Sequence, residues 1–109
     1  MSPYRHIERR VDRLLARLGR GVDAGVLDEM EDVLATGYAY ALQGDARCRH
    51  LGRRRDALAE DIADAGAATE LRRLSLEQRA LEDSTRRLRA RLEPVRLLLS
   101  DVSRANRSG

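Results

Sequence analysis

Apolar residues recur with helical spacing along nearly the whole chain and divide it into three segments. The first runs from about Pro3 to Leu18 and has an apolar residue every three or four positions, at Ile7, Val11, Leu14 and Leu18. The glycines at positions 19 and 21 predict the end of this helix, because glycine readily adopts the left-handed conformation of a helix C-cap.

The second segment is predicted over 23–64, with Asp23 as its N-cap. A heptad repeat runs through it, with the seam positions (a and d of the heptad) at Leu27, Met30, Leu34, Gly37, Ala41, Gly44, Cys48, Leu51, Arg55, Leu58, Ile62 and Ala65. The small seam residues at 37–44 favour close approach of a neighbouring helix, and they also predict a possible kink or break there.

The third segment is predicted over 67–104 and has a more regular seam, formed by Leu71, Leu74, Gln78, Leu81, Thr85, Leu88, Leu92, Val95, Leu99 and Val102. Pro94 lies inside it, which predicts a kink or a restart of the helix, because proline cannot donate the helical hydrogen bond. Residues 105–109 have no apolar anchor and are predicted to be a disordered tail.

The two long segments are predicted to form an antiparallel hairpin. Extending the second seam past Ala65 misses the third seam by two residues, a slip that a continuous coiled coil does not absorb, and the slip coincides with Gly66. We therefore place a turn at 63–66. The predicted hairpin places Gly37 opposite Leu92, and it places other small residues of the second segment opposite leucines and valines of the third.

The predicted fold class is all-α: a short N-terminal basic amphipathic helix over 1–20, then a long antiparallel coiled-coil helical hairpin. The first helix is too short to cover the whole hairpin. Apolar residues off the seam remain, at Leu15, Val26, Val33, Tyr38, Leu42, Leu76, Leu97 and Leu98. They predict self-association, most simply a homodimer that forms a dimeric helical bundle.

The composition excludes several other kinds of protein and of binding site. The chain has 109 residues, of which 36% are charged, 3% are aromatic and one is cysteine. These values exclude a disulfide framework and a cysteine-rich zinc site and argue against a sheet protein. No apolar run is long enough to span a membrane and no secretory signal is visible, so we expect a cytoplasmic protein. All 21 basic side chains are arginine, a bias that coding composition or a need for bidentate donors could each produce.

Charge on the second segment is divided into an acidic block over 23–32 and a basic block over 47–55. Two antiparallel copies would place acid against base at both ends of an isologous interface, with the small and tyrosine residues at the crossing. This hypothesis predicts partner-binding residues at Gly37, Tyr38, Tyr40, Ala41, Arg53 and Arg54. The alternative is that both blocks are solvated surfaces.

The first helix carries an arginine stripe, defined by Arg9, Arg13, Arg17 and Arg20 and widened by Arg5 and Arg10. We include the stripe among the predicted partner-binding residues. It could pair with acids of the same bundle, which we favour, or follow the phosphates of a nucleic acid or of acidic lipids. No stacking aromatics accompany it, and Glu8 and Asp12 dilute its charge.

The sequence contains few residues that could form a catalytic or metal-binding site. His6 and His50 have no partner at metal-ligand spacing, and Cys48 on the seam is typical of a buried thiol. The polar seam residues Arg55 and Gln78 are expected to fix register rather than catalyse a reaction. We therefore expect no catalytic residue, no metal and no cofactor.

The sequence predicts a non-enzymatic helical interaction protein, such as a scaffold, adaptor or small regulator, whose partners are itself and another protein. The first alternative is a nucleic-acid-associated protein that uses the arginine stripe. The second is a small helical-bundle enzyme, which would require a polar pocket lined by Arg47, Arg55 or Gln78.

Overall fold

The computed structural model describes residues 3–60 and 65–108. They form three helices, α1 (Pro3–Leu18), α2 (Ala24–Ala59) and α3 (Ala65–Ser108). No strand occurs within these two ranges. Contacts between α2 and α3 confirm the predicted all-α class and its helical hairpin, as the residue pairs below show.

Local sequence explains where α1 ends and α2 begins. After Leu18 the chain makes two further turn hydrogen bonds, and Gly21 adopts a φ of 109°, a conformation that a Cβ would disfavour. Asp23 then caps α2, because its Oδ1 accepts a hydrogen bond from the Val26 amide at 2.8 Å. Both features were predicted from the sequence.

The boundary between α2 and α3 differs from the prediction. α2 ends at Ala59 instead of 64, and α3 begins at Ala65 instead of 67. Gly66 therefore lies in the first turn of α3, and the predicted turn residues Ala63 and Asp64, like Ile62 of the seam, lie outside the described residues. The short side chains at the start of α3 are compatible with a helix, since only glycine among them has a low propensity.

The described helices contain no break or restart at the glycines of α2 or at Pro94, and α3 runs further than predicted. α2 runs through Gly37 and Gly44 without a break, and α3 continues through Pro94 instead of restarting. Pro94 is exposed, so the Ala90 carbonyl that loses its donor can be hydrated. α3 also extends over 105–108, where we predicted disorder, and half-buried Leu99 and Val102 anchor the turns before it.

Contacts divide the chain into two compact units. The three-helix unit contains α1, α2 up to Ala41 and α3 from Arg87. Its core consists of apolar residues from all three helices: Ile7, Val11, Leu14, Val26, Met30, Val33, Ala41, Leu88, Leu92 and Val95. Val26 and Val33 are off the hairpin seam, and packing of α1 explains why they are buried.

The two-helix unit spans 42–86 and contains only the adjoining parts of α2 and α3 among its described residues. Its most buried side chains include Leu51 and Leu74, and the ion pairs Arg47–Glu77 and Arg54–Glu70 show that the helices are antiparallel. Other seam residues here stay half-buried, including Leu58, Leu71 and Leu81. Two helices cannot enclose a core on all sides.

Candidate interaction surfaces

α3 has a second apolar face within the three-helix unit. Leu88, Leu92 and Val95 point into the core, so residues two positions further along the helix point away from it. Exposed residues with this spacing are Ala90, Pro94 and Leu97, and exposed Leu98 lies beside Leu97 at the edge nearer α1; these four residues form the outer face of α3. Leu97 is 50% exposed and Leu98 is 40% exposed, although the unit already has a filled core.

α1 also carries an exposed apolar residue, Leu15. Arg91 of α3 bridges to Asp12 of α1 at 2.8 Å, which shows the side on which the two helices face each other. Leu15 lies one turn beyond Asp12, and Leu98 lies two turns beyond Arg91, on the same sides of their helices. Leu15 is 37% exposed. An exposed leucine of α1 therefore lies on the side of that helix that carries Asp12.

Opposite charges flank the outer face of α3. Arg87 precedes it and Asp101 follows it, both exposed and both in line with Pro94 on the helix surface. Within the part of the chain that the structure describes, neither side chain takes part in an ion pair. Sequence reasoning singled out the exposed leucines but missed these two charges. The signal was a second heptad over 87–101, offset by two residues from the buried seam.

The small residues predicted to contact a partner lie inside the three-helix unit. Gly37 is buried, and an added Cβ there would lie 2.6 Å from Leu92 Cδ2, because the leucine side chain fills the space that glycine leaves. Ala41 is fully buried in the same core. These residues serve packing within the chain, as the predicted Gly37–Leu92 pairing requires, and they offer no surface to a second molecule.

The two tyrosines predicted for the interface are half-buried in this unit. Tyr38 lies beside the Arg96 guanidinium. The Tyr40 backbone carbonyl accepts a hydrogen bond from the Tyr4 hydroxyl at 3.2 Å, which ties the start of α1 to α2. Both tyrosines therefore contribute mainly to contacts between helices of the unit.

Three arginines of the stripe on α1 remain without an ion pair among the described residues. Arg10, at its edge, binds Glu29 at 3.1 Å and Asp32 at 2.6 Å. Arg13, Arg17 and Arg20 are exposed and form no ion pair with any described residue. Arg9 is also exposed, and its backbone carbonyl accepts a hydrogen bond from Arg13 at 3.5 Å. The stripe was predicted to pair with acids of the bundle; Arg10 does so, whereas Arg13, Arg17 and Arg20 form no ion pair with a described residue.

The acids of α1 lie away from most of the stripe. Arg91 of α3 lies 3.9 Å from Glu8 and 2.8 Å from Asp12, so both carboxylates face α3. They therefore dilute the positive charge of the stripe less than the sequence suggested. His6, Arg13 and Arg17 line a shallow groove of about 330 Å³ beside Glu29.

The two charge blocks of α2 are partly neutralised within their own units. Glu29 and Asp32 of the acidic block bind Arg10, whereas Arg47 and Arg54 of the basic block bind Glu77 and Glu70. Arg53 is exposed and has no ion pair with a described residue. Fewer charges thus remain for a partner than the sequence alone indicated.

Gln78 forms a polar layer in the two-helix unit. Its Nε2 donates to the Cys48 carbonyl at 3.3 Å, and its buried Oε1 accepts no hydrogen bond from a described residue. Shallow grooves of about 460 and 200 Å³ adjoin it and contain Arg55, Asp56 and Glu82. Burial raises the pKa of the Cys48 thiol, and Glu82 and Asp45 add to that rise, so the thiolate form is disfavoured.

The described residues contain no group of three or more histidines, cysteines or carboxylates placed to hold a metal ion. None of the helices, over the same residues, has the length and apolarity required to cross a bilayer. The chain matches no protein-family model, no curated protein and no solved structure.

Proposed function

We propose that this chain is a non-enzymatic helical interaction protein, a scaffold, adaptor or small regulator that binds its partners by helix–helix association. The observation that supports the proposal is the outer face of α3. Amphipathic helices normally turn one apolar stripe inward, and α3 carries further apolar residues on its exposed side. Full burial of a fully exposed leucine contributes about 1.5–3 kcal/mol, so covering the exposed half of Leu97 and of Leu98 would contribute roughly half of that for each side chain.

A site-specific photo-crosslink tests this proposal. A photoreactive amino acid replaces Leu97, and in a matched control it replaces Arg72, an exposed residue of α3 in the two-helix unit. Both proteins are illuminated in extract of the native host. We expect position 97 to give one defined adduct, with this chain or with another protein, that excess unlabelled chain suppresses. Equal, nonspecific labelling from both positions would contradict the proposal.

A second candidate function, nucleic-acid binding, is supported by the unpaired arginines of α1. Arg13, Arg17 and Arg20 could follow the phosphates of a duplex, and such binding weakens steeply with salt because counterions are released. Fluorescence anisotropy with a labelled 30-base-pair DNA measures this directly. A dissociation constant below 1 µM at about 50 mM salt, lost at higher salt, would favour this function over the first.

Two variants of equal charge change make this measurement specific. Arg13→Gln/Arg17→Gln removes two charges from the stripe, and Arg72→Gln/Arg79→Gln removes two exposed charges from the two-helix unit. Nucleic-acid binding through the stripe predicts a large loss for the first variant only. Absence of binding by the unaltered chain at about 50 mM salt would eliminate this candidate.

A further inference from the structure

We propose that the partner seated on the outer face of α3 is a second copy of this chain, related by a two-fold axis that passes close to Pro94. The inference rests on the proposed function and adds the identity of the partner and the symmetry of the complex. The order of charge and of side-chain size along the exposed face supports this axis.

Charge on this face is self-complementary. Arg87 and Asp101 each lie seven residues from Pro94, on opposite sides of it. A two-fold axis through Pro94 makes the two α3 helices antiparallel and exchanges these positions. Arg87 then faces Asp101 of the partner subunit, and the same pair forms a second time at the other end. Both side chains are exposed and lack an ion pair with a described residue of their own chain.

Side-chain size on this face is self-complementary as well. Ala90 and Leu98 each lie four residues from Pro94, so the axis places the small residue of one copy opposite the large residue of the other. Pro94 itself has a compact side chain that allows close approach on the axis. Leu97 packs beside the axis, next to the aliphatic part of the 44%-exposed Arg91 side chain of the partner.

The competing dimer, in which the acidic and basic blocks of α2 face each other, has less support. Two acids and two arginines of those blocks already have partners within their own units, and the small residues at its crossing are buried. An isologous contact on the outer face of α3 uses side chains that are exposed and available.

A charge-reversal cycle tests the axis. Sedimentation equilibrium of the purified chain should give twice the 12.3 kDa mass of one copy. Arg87→Asp places two carboxylates together at both ends of the contact, and Asp101→Arg places two guanidinium groups together. Each single change should weaken dimerisation by about tenfold. The double variant Arg87→Asp/Asp101→Arg restores opposite charges and should recover most of the loss.

Two controls complete the design. Arg53→Asp changes an exposed, unpaired arginine of the basic block and should leave the dimer constant unchanged, whereas the competing dimer predicts weakening. Leu97→Gln/Leu98→Gln should raise the dissociation constant at least about a hundredfold. Circular dichroism verifies that each variant remains helical, so a loss of association is not a loss of fold.

The outcomes separate this inference from the proposed function. A monomeric chain at several hundred micromolar overturns the inference, while a position-97 crosslink to a different protein would leave the proposed function standing. The axis near Pro94 is also overturned if the changes at Arg87 and Asp101 leave the dimer dissociation constant unaltered. The same holds if the double variant dimerises more weakly than either single variant.

Discussion

The two units use the same pair of helices but differ in what covers them. In the three-helix unit α1 packs over α2 and α3, and Met30, Val33, Leu88 and Leu92 become fully buried. In the two-helix unit no third helix is present among the described residues, and Leu71 and Leu81 stay half-buried. The heptad pattern thus specifies which helix faces pair, whereas the number of helices around the seam determines how completely its side chains are buried from solvent.

Polar seam residues follow the same division. Gln78 and Arg55 lie in the two-helix unit, where partial exposure lets polar groups keep some contact with solvent. In the three-helix unit leucine and valine occupy the corresponding seam positions. Each unit keeps exposed leucines, Leu42 and Leu76 in the two-helix unit and Leu97 and Leu98 on the outer face of α3 in the three-helix unit.

Truncation of a core leucine should cause the largest loss of stability in each unit, and the two losses should differ. Leu92→Ala should lower the free energy of unfolding by about 3–5 kcal/mol, because the enclosed three-helix core cannot collapse around the cavity. Leu74→Ala should cost less, about 2–3 kcal/mol, since water and neighbouring side chains can fill the space between two helices. Chemical denaturation monitored by circular dichroism measures both, and equal losses would show that the two cores are equally enclosed.

Replacement of a glycine by alanine should change the stability of the chain in opposite directions in the two units. Gly37→Ala introduces a Cβ about 2.6 Å from Leu92 Cδ2, and we expect a net loss of about 1 kcal/mol after the gain in helix propensity. Gly52→Ala meets its nearest neighbour, Gln78 Nε2, at 3.5 Å, and should stabilise the chain by up to about 1 kcal/mol. Thermal unfolding of both variants tests this. Stabilisation by Gly37→Ala would show that Leu92 does not need the space.

The smallest expected difference concerns acid titration. Hydrogen bonds from Arg73 and from Arg96 lower the pKa of Glu70 in the two-helix unit and of Glu93 in the three-helix unit. A pKa lowered in the folded state gives stability that is present above the unfolded-state pKa and is lost as the pH falls through the folded value. Both carboxylates are exposed, so solvent screens the effect.

Nuclear magnetic resonance titration of the glutamate side chains checks this directly. Both midpoints should lie below the usual range for glutamate, and Arg73→Gln should raise that of Glu70 while leaving that of Glu93 in place. If Arg73→Gln leaves the Glu70 midpoint unchanged, the Arg73–Glu70 ion pair is not populated in solution.

Much of the fold follows from the sequence. The bounds of α1, the Asp23 cap and the insertion of Leu92 at Gly37 all derive from helical spacing, capping chemistry and residue size, which are local or pairwise properties. The end of α2 was wrong by five residues, because the apolar pattern continues past the point where the helix stops. Continuation of α3 through Pro94 depends on which side of the helix the proline occupies, and that is set by tertiary packing.

The candidate surface was only partly predictable. Leu97 and Leu98 are visibly off the seam in the sequence, but Val26 and Val33 are too, and only the position of α1 shows which of them remain exposed. The same applies to charge. Pairing of Arg91 with Asp12 and of Arg10 with Asp32 requires knowledge of which helix faces meet, so the unpaired state of Arg87 and Asp101 could not be read from spacing alone.

Disulfide trapping shows whether Pro94 of one copy meets Pro94 of the other. In a chain carrying Cys48→Ala to remove the native thiol, Pro94→Cys should form a covalent dimer rapidly under mild oxidation, because the axis brings that position against itself in the second copy. Ala80→Cys, an exposed position in the two-helix unit, is the matched control. A two-fold axis near Pro94 requires fast dimer formation for Pro94→Cys alone, and crosslinking no faster than that of Ala80→Cys would rule this axis out.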